Sequence, residues 1–136
     1  MTSKPRVLIV DDEDRFRITL GERLKVRGLE ARSAGSGKEA LEELQKNPYD
    51  VILLDIKMPE MSGIEALARI KKIDPNLEVI ILTGHASVDI AVDIMQLGGY
   101  DYLLKPCPID DLMEKIDAAF EKKRAREQRT RQTSKE

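Results

Sequence analysis

The sequence is poor in the residues that crosslink small proteins or bind soft metals. Its 136 residues include one cysteine, one histidine and no tryptophan, and only 4% are aromatic. Cys107 has no partner for an internal disulfide, and it is not spaced with His85 to form a zinc site. No run approaches the roughly eighteen apolar residues of a membrane span, and residues 1–5 do not resemble a signal peptide. These absences argue against disulfide-rich and membrane-spanning classes and predict a cytoplasmic protein.

Several catalytic motifs are also missing. The chain has no Gly-x-Ser-x-Gly turn and no Ser/His/Asp set, which argues against acyl-transfer hydrolases. It has no Walker-type glycine loop, and no Gly-x-Gly-x-x-Gly follows the first apolar run, so the usual nucleotide sites are not indicated. Any chemistry must come from other residues.

Charge is balanced overall but unevenly distributed. The chain has 23 Lys and Arg against 25 Asp and Glu, yet residues 121–136 contain seven basic and three acidic side chains. After Phe120 the apolar stripe of the last helical segment gives way to charged positions such as Lys123, so its buried face is expected to end there. The sequence predicts one domain over residues 1–122 and a solvated extension or linker over residues 123–136. The basic segment lacks the interleaved aromatics of a nucleic-acid site.

Five short apolar runs alternate with longer segments of helical period. This alternation is typical of an α/β fold, in which helices cover both faces of a parallel sheet. It predicts a doubly wound sheet of five strands with five helices, and right-handed crossovers restrict the possible strand orders. The third run is the most apolar and should lie centrally. The expected strands are residues 6–10, 30–34, 51–54, 79–82 and 102–104.

Polar residues stand where these runs end. Asp11 and Asp12 follow the first run, Asp55 the third, Thr83 the fourth and Lys105 the fifth. The carboxyl ends of parallel strands form one edge of the sheet, where α/β proteins place their sites. No comparable set of charged groups is expected at the opposite edge. A reaction centre is therefore predicted at the carboxyl edge.

The residue types at this edge favour phosphoryl chemistry. If the first and third strands are neighbours, three carboxylates lie together, and each pair repels by about 4 kcal/mol at an effective dielectric near 20. Such a cluster requires a cation, and Mg²⁺ suits oxygen ligands completed by water or phosphate oxygens. Lys105 and Thr83 offer an ammonium and a hydroxyl to phosphate oxygens. Aspartate is also a known phosphoryl nucleophile, and phosphoryl transfer needs mainly positioning and charge neutralisation.

Five short motifs occur in order along the chain. They are Asp11-Asp12, Asp55-x-x-Met58-Pro59, Gly63, Thr83 and Tyr102-x-x-Lys105-Pro106. Together they resemble the receiver domain of bacterial two-component response regulators, the CheY-like superfamily. The resemblance covers residues 6–120 and implies a flavodoxin-like sheet with strand order 2-1-3-4-5.

The resemblance assigns the phosphoacceptor and the metal ligands. Asp55 would accept a phosphoryl group from a phosphohistidine on a sensor histidine kinase or a histidine phosphotransfer protein. Asp12 and Asp55 would hold Mg²⁺ directly, Asp11 would act through water, and the backbone carbonyl of Lys57 would complete the protein ligands. The domain would catalyse only its own phosphorylation and autodephosphorylation and would convert no separate metabolite.

The resemblance also implies a switch. Lys105 would pair with the phosphoryl group, Thr83 would move to bond it, and Tyr102 would rotate into the space that Thr83 vacates. The face built from helix 4, strand 5 and helix 5 would then change and report to an output partner, and a phosphorylation-linked homodimer is allowed. The Lys105-Pro106 bond is expected to be cis.

Two alternatives stay open. The chain could be the input half of a larger DNA-binding or output-enzyme regulator, with the charged segment as the linker. An aspartate-nucleophile phosphatase is less favoured, because the second acid expected two residues after the nucleophile is replaced by Lys57. In neither case does the domain itself require nucleic acid or a membrane.

Overall fold

The structure is a computed structural model that describes residues 4–85 and 87–134. Ala86, in the loop after the fourth strand, lies outside the described residues, as do both ends of the chain. The strands are β1 (Arg6–Val10), β2 (Glu30–Ala34), β3 (Val51–Leu54), β4 (Glu78–Thr83) and β5 (Asp101–Leu104). The helices are α1 (Asp14–Val26), α2 (Gly37–Lys46), α3 (Gly63–Ile73), α4 (Val88–Gln96) and α5 (Ile109–Ser134).

The five strands form one parallel sheet in the order β2-β1-β3-β4-β5. The predicted doubly wound α/β fold and its flavodoxin-like strand order are confirmed. Strand β3 is buried throughout and lies between β1 and β4, as its apolar sequence predicts. Val10 pairs with Leu54 in the register of β1 and β3, so the acids that follow these two residues become neighbours.

Side chains that alternate along the central strands form two separate cores. One face of the sheet packs against α2, α3 and α4, and the other packs against α1 and α5. Both faces are covered, which is why β1, β3 and β4 are almost entirely apolar. The first core includes Leu8, Val10, Ile52, Leu54 and Ile70, and the second includes Val7, Ile9, Leu53, Leu24 and Ile116.

Serine caps fix the start of three helices at the carboxyl edge of the sheet. Ser36, Ser62 and Ser87 each accept a hydrogen bond from the backbone N–H three residues later, at 3.1, 3.2 and 3.2 Å. Each such cap contributes about 1 kcal/mol and sets where the preceding loop ends. Gly28 closes α1 with a φ of 89°, a left-handed conformation that glycine adopts at little cost. The three serine caps define the lengths of loops at the carboxyl edge, whereas Gly28 lies at the opposite edge.

Helix α5 differs from the sequence-based expectation. It runs from Ile109 to Ser134 without a break at residue 122, and its buried face does not end at Phe120. Lys123 is 8% exposed, so the prediction that the helix is solvated from this position onward is wrong for Lys123. The division into residues 1–122 and 123–136 stays a prediction. Among the described residues, no helix has the length and apolar character needed to cross a membrane.

Ionic contacts extend the buried face of α5 across the amino ends of the strands. The Lys123 ammonium lies 2.9 Å from Asp50 Oδ1 and 2.7 Å from Glu127 Oε1. Arg126 donates to Glu78 Oε1 at 2.7 Å, and Glu78 is 1% exposed. The expectation that this edge lacks a comparable set of charges is therefore wrong. Apolar periodicity does not reveal these contacts, because they join charged residues, and the contacts to Asp50 and Glu78 span 73 and 48 positions of the sequence.

Asp50 is the centre of this network. Its carboxylate accepts hydrogen bonds from the Arg6 backbone N–H at 2.8 Å and from the Arg6 guanidinium at 3.1 and 3.2 Å, in addition to that from Lys123. Burial raises the pKa of Asp50, but the hydrogen bonds from Arg6 and Lys123 outweigh burial and hold this pKa below its usual value. The buried carboxylate is therefore fully compensated and acts structurally.

Substituting Lys123 should destabilise the fold in a pH-dependent way. We expect Lys123→Met to lower the free energy of unfolding at pH 7 by about 1.5–3 kcal/mol, because a buried carboxylate loses a charged hydrogen bond. The folded-state pKa of Asp50 is depressed, so its stabilising contribution is fully present above the unfolded pKa near 4 and is lost as pH falls through the lower folded-state pKa. The gap between wild type and variant should therefore narrow at pH 3.

Urea denaturation at pH 7 and pH 3 measures both effects. Lys122→Met is the matched control, because Lys122 is the exposed neighbour on the same helix, and its substitution should change stability by less than about 0.5 kcal/mol. Equal losses in the two variants would show that Lys123 contributes no more than a surface lysine.

Candidate functional site

The predicted site residues meet at the carboxyl edge of the sheet. Asp11 directly follows β1, Asp55 directly follows β3, Thr83 is the last residue of β4, and Lys105 directly follows β5. Asp11 is 1% exposed and Asp55 is 7% exposed, whereas the adjacent Asp12 is exposed to solvent. Buried strands therefore fix the positions of two carboxylates while leaving one side of the cluster open.

Three carboxylates converge at this edge. Asp11, Asp12 and Asp55 each offer an oxygen, and these three atoms lie within 4.8 Å of one another. One oxygen of each buried acid is held by the backbone, since Asp11 Oδ1 accepts from Glu13 N at 2.9 Å and Asp55 Oδ1 accepts from Ile56 N at 2.7 Å. The backbone hydrogen bonds thus orient both carboxylates and direct the second oxygen of each, Oδ2, toward Lys105.

Lys105 supplies the positive charge that the structure shows in direct contact with the two buried acids. Its ammonium lies 2.6 Å from Asp11 Oδ2 and 3.6 Å from Asp55 Oδ2. Burial lowers the pKa of Lys105, but the hydrogen bond to Asp11 and the charges of Asp11 and Asp55 outweigh burial and raise this pKa. One ammonium against three carboxylates leaves two negative charges uncompensated, which a divalent cation would neutralise.

The donor set fits a hard divalent cation. All three candidate ligands are carboxylate oxygens, which Mg²⁺ prefers, and one side of the cluster faces solvent, so waters can complete an octahedral shell. Lys57 is exposed and lies two residues after Asp55, in the same loop between β3 and α3. Its role as a ligand stays a prediction.

The loop after Asp55 packs tightly against the acidic cluster. Gly63 donates its N–H to the Ile56 carbonyl at 2.7 Å. A Cβ at Gly63 would lie 2.2 Å from the Asp55 backbone oxygen, so no larger residue fits without displacing Asp55. Glu60 has a φ of 68°, which costs a non-glycine residue about 1 kcal/mol. The glycine of the sequence motif therefore has a steric role beside the site.

Thr83 and Tyr102 are connected through the loop that follows β4. Thr83 is fully buried, and its Oγ1 accepts from the His85 N–H at 3.3 Å. The Tyr102 hydroxyl donates to the His85 carbonyl. His85 itself is exposed. The structure brings the two predicted switch residues to one loop, although the contact through the His85 backbone was not predicted.

Two residues beside the site were not assigned to it from the sequence. The ring of Phe16 lies under Lys105, with the ammonium 4.0 Å from the ring centroid. Arg17 donates to the backbone carbonyl of Asp11 at 2.7 Å and to Asp14 Oδ1 at 2.6 Å, and it thereby holds the loop after β1. Helical spacing identified Phe16 only as part of an apolar face. Its contact with Lys105 joins the first turn of α1 to the loop after β5, two segments far apart in sequence.

The comparisons with known proteins decide the family. The family model of the response regulator receiver domain matches residues 7–117. The chain belongs to the response regulator receiver domain family. Magnesium binding and phosphorylation are general features of this family, and its members interact with histidine kinases. The Lys105-Pro106 peptide bond is cis, as the resemblance implied.

Solved receiver domains share the fold over nearly their whole length. One from Clostridium thermocellum is 37% identical with a TM-score of 0.84, and the match covers 89% of this chain and 98% of that one. A CheY-like receiver domain protein from Methanospirillum hungatei JF-1 is 31% identical with a TM-score of 0.87, and the match covers 91% and 99%. The likeness thus extends beyond the sequence motifs.

The curated relatives are much longer than this receiver domain. Regulatory protein AtoC of Escherichia coli K12 is 40% identical over 112 residues, which are 82% of this chain and 24% of AtoC. The DNA-binding transcriptional regulator NtrC of Klebsiella pneumoniae is 42% identical over 112 residues, again 82% of this chain and 24% of that protein. The chain therefore spans about a quarter of the length of these relatives, which are receiver domains fused to output domains.

Removing Asp12 should weaken Mg²⁺ binding. We expect Asp12→Ala to raise the Mg²⁺ dissociation constant about tenfold or more, because the cluster loses one of its three carboxylates and one negative charge. Titration calorimetry measures this constant. Glu13→Ala is the control, because Glu13 is the next exposed acid and the contact from Glu13 to Asp11 uses only its backbone. If both variants weaken binding equally, general negative charge and not a defined ligand set attracts the ion.

Proposed function

We propose that this receiver domain accepts a phosphoryl group on Asp55 from a phosphohistidine of a partner kinase or phosphotransfer protein. The bond between phosphorus and the histidine nitrogen breaks, the nitrogen keeps the electron pair, and an Asp55 oxygen forms the new bond to phosphorus. The observation that carries this proposal is the orientation of Asp55, whose Oδ1 is held by Ile56 N while Oδ2 lies 3.6 Å from the Lys105 ammonium. The reactive oxygen is thereby held next to a phosphate-binding cation.

The neighbouring residues divide the remaining tasks. Asp12 and Asp55 are the proposed direct ligands of Mg²⁺, with Asp11 acting through water and Lys57 through its carbonyl. When bound, Mg²⁺ supplies charge neutralisation between the carboxylates and the phosphoryl oxygens. Lys105 attracts a phosphoryl oxygen on the opposite side, and Thr83 offers its hydroxyl to another.

The output is a conformational change at the face formed by α4, β5 and α5. On phosphorylation Thr83 moves toward the phosphoryl group, and Tyr102 exchanges its contact with the His85 carbonyl for a more buried position. This face supports the proposal because it exposes apolar side chains that a partner would cover, among them Val88 at 81% and Met95 at 53%. A shift between two conformations requires only a few kcal/mol of differential contact.

The domain acts as an input module and not as an enzyme on a separate substrate. Self-phosphorylation and autodephosphorylation are its proposed reactions, and no direct contact with nucleic acid or a membrane is part of the proposal. The curated relatives are about four times as long as the segment that they share with this chain. Their length favours a second candidate function, in which this domain controls a DNA-binding or enzymatic output domain in the same protein. A phosphatase is disfavoured because Lys57 replaces the required acid.

The phosphoacceptor can be identified directly. After incubation with Mg²⁺ and the small phosphodonor acetyl phosphate, wild type should gain the mass of one phosphoryl group and Asp55→Asn should gain none. Asp93→Asn, an exposed aspartate on α4, is the control and should be phosphorylated as wild type is. The same mass gain in Asp55→Asn would place the phosphoryl group on another residue.

A further inference from the structure

The Lys105 ammonium has a neighbour that carries no charge. The centroid of the Phe16 ring lies 4.0 Å from Nζ, well inside the roughly 6 Å over which a ring face attracts a cation. Lys105 is only partly exposed, so this attraction is weakly screened by water. The ammonium therefore lies between the ring of Phe16 and the carboxylates of Asp11 and Asp55.

We propose that Phe16 is a positioning residue that keeps the Lys105 ammonium at the phosphoryl site while a divalent cation occupies the acidic cluster. This inference rests on the proposed function of Asp55. Phe16 touches neither the phosphoryl group nor the metal, and it acts only through Lys105.

The need for such a residue follows from electrostatics. The shorter of the two contacts of Lys105 with the buried acids is the one to Asp11 Oδ2, at 2.6 Å. A divalent cation shared by the carboxylates weakens that attraction and repels the ammonium directly. Lysine has a long flexible side chain that can turn toward water when its partner is withdrawn. The ring quadrupole is unchanged by the metal, so the contact with Phe16 persists at the stage when Lys105 must meet a phosphoryl oxygen.

Phe16 is itself held firmly enough to act in this way. It lies in the first turn of α1 and packs against the core on the α1 and α5 side of the sheet. The next residue, Arg17, ties the same turn to the backbone carbonyl of Asp11 at 2.7 Å. The ring position is thus fixed relative to the acidic cluster. The competing explanation is that Phe16 only packs in the apolar core. The two roles can be separated, because attraction of the ammonium depends on the negative charge of the ring face and apolar packing does not.

The chain offers a matched control because it contains only two phenylalanines. Phe120 is buried in the same core, and it faces Arg124 at 5.5 Å and not the site. Fluorinated phenylalanines keep the shape of the ring but weaken its negative face. In a Phe120→Leu chain the fluorinated phenylalanine occupies position 16 alone. In a Phe16→Leu chain it occupies position 120 alone.

The experiment uses proteins with zero, one, two and three fluorines on the phenylalanine ring. For each protein it measures the rate of phosphorylation by acetyl phosphate at saturating Mg²⁺, and separately the Mg²⁺ dissociation constant. With the fluorinated ring at position 16, the phosphorylation rate should fall with each added fluorine, to about three- to tenfold below the rate of the unfluorinated protein. This is the loss expected when a partly desolvated contact between a cation and a ring is weakened. The Mg²⁺ dissociation constant should stay within about twofold. With the fluorinated ring at position 120, both quantities should stay flat.

A second measurement does not depend on phosphorylation. In Mg²⁺, Phe16→Leu should lower the melting temperature by more in wild type than in a Lys105→Met background, whereas the loss from Phe120→Leu should be the same in both. Equal losses for Phe16→Leu would overturn the proposal. A flat rate series at Phe16, or Mg²⁺ affinity falling in step with the rate, would also overturn it. A wild type that gains no phosphate would instead refute the proposed function, and the inference with it.

Discussion

Uncompensated negative charge at the carboxyl edge is the constraint on which the site depends. The register of β1 and β3 places Val10 opposite Leu54, and this pairing forces Asp11 and Asp55 together although both lose hydration. Backbone N–H groups and one ammonium stabilise them, yet one positive charge cannot balance three carboxylates. The fold therefore holds these acids in an arrangement that favours the arrival of a cation and a phosphoryl group.

Strand β3 has an acid at each end, and their two environments support the proposal that only Asp55 accepts a phosphoryl group. Asp50 meets the guanidinium of Arg6 and the ammonium of Lys123, and all of these groups are paired within the protein. Asp55 shares a single ammonium with Asp11, and Lys105 is nearer to Asp11. The charge of a buried carboxylate that contacts two cations is balanced within the protein. A carboxylate that shares one cation with a second carboxylate keeps excess negative charge and can bind a further cation. Burial alone does not distinguish the two acids.

The sequence was sufficient for the fold and for the prediction that these polar residues meet at one edge of the sheet, because both depend on where the apolar runs end. Runs of apolar residues ending in Asp11, Asp55, Thr83 and Lys105 located the strands and the edge where they end. The contacts of Phe16 and Lys123 were not predictable in the same way. Phe16 has the spacing of a core residue and Lys123 has the polarity of a surface residue. Phe16 contacts Lys105, 89 positions away in sequence, and Lys123 contacts Asp50, 73 positions away.

The helices and strands differ in how many buried contacts and ion pairs hold them in place. This difference indicates which part of the domain can change conformation. Helix α5 packs against the core through Leu112, Ile116 and Phe120 and is then held by ion pairs at the far edge, so moving it would expose both apolar and charged groups. Helix α4 buries only Ile94, and β5 is an edge strand whose residues are half-buried or exposed. Elements with few buried contacts open at the lowest free energy. Since Thr83 and Tyr102 both contact the His85 backbone, a change at the proposed site would reach α4 and β5, the least anchored elements, before it reaches α5.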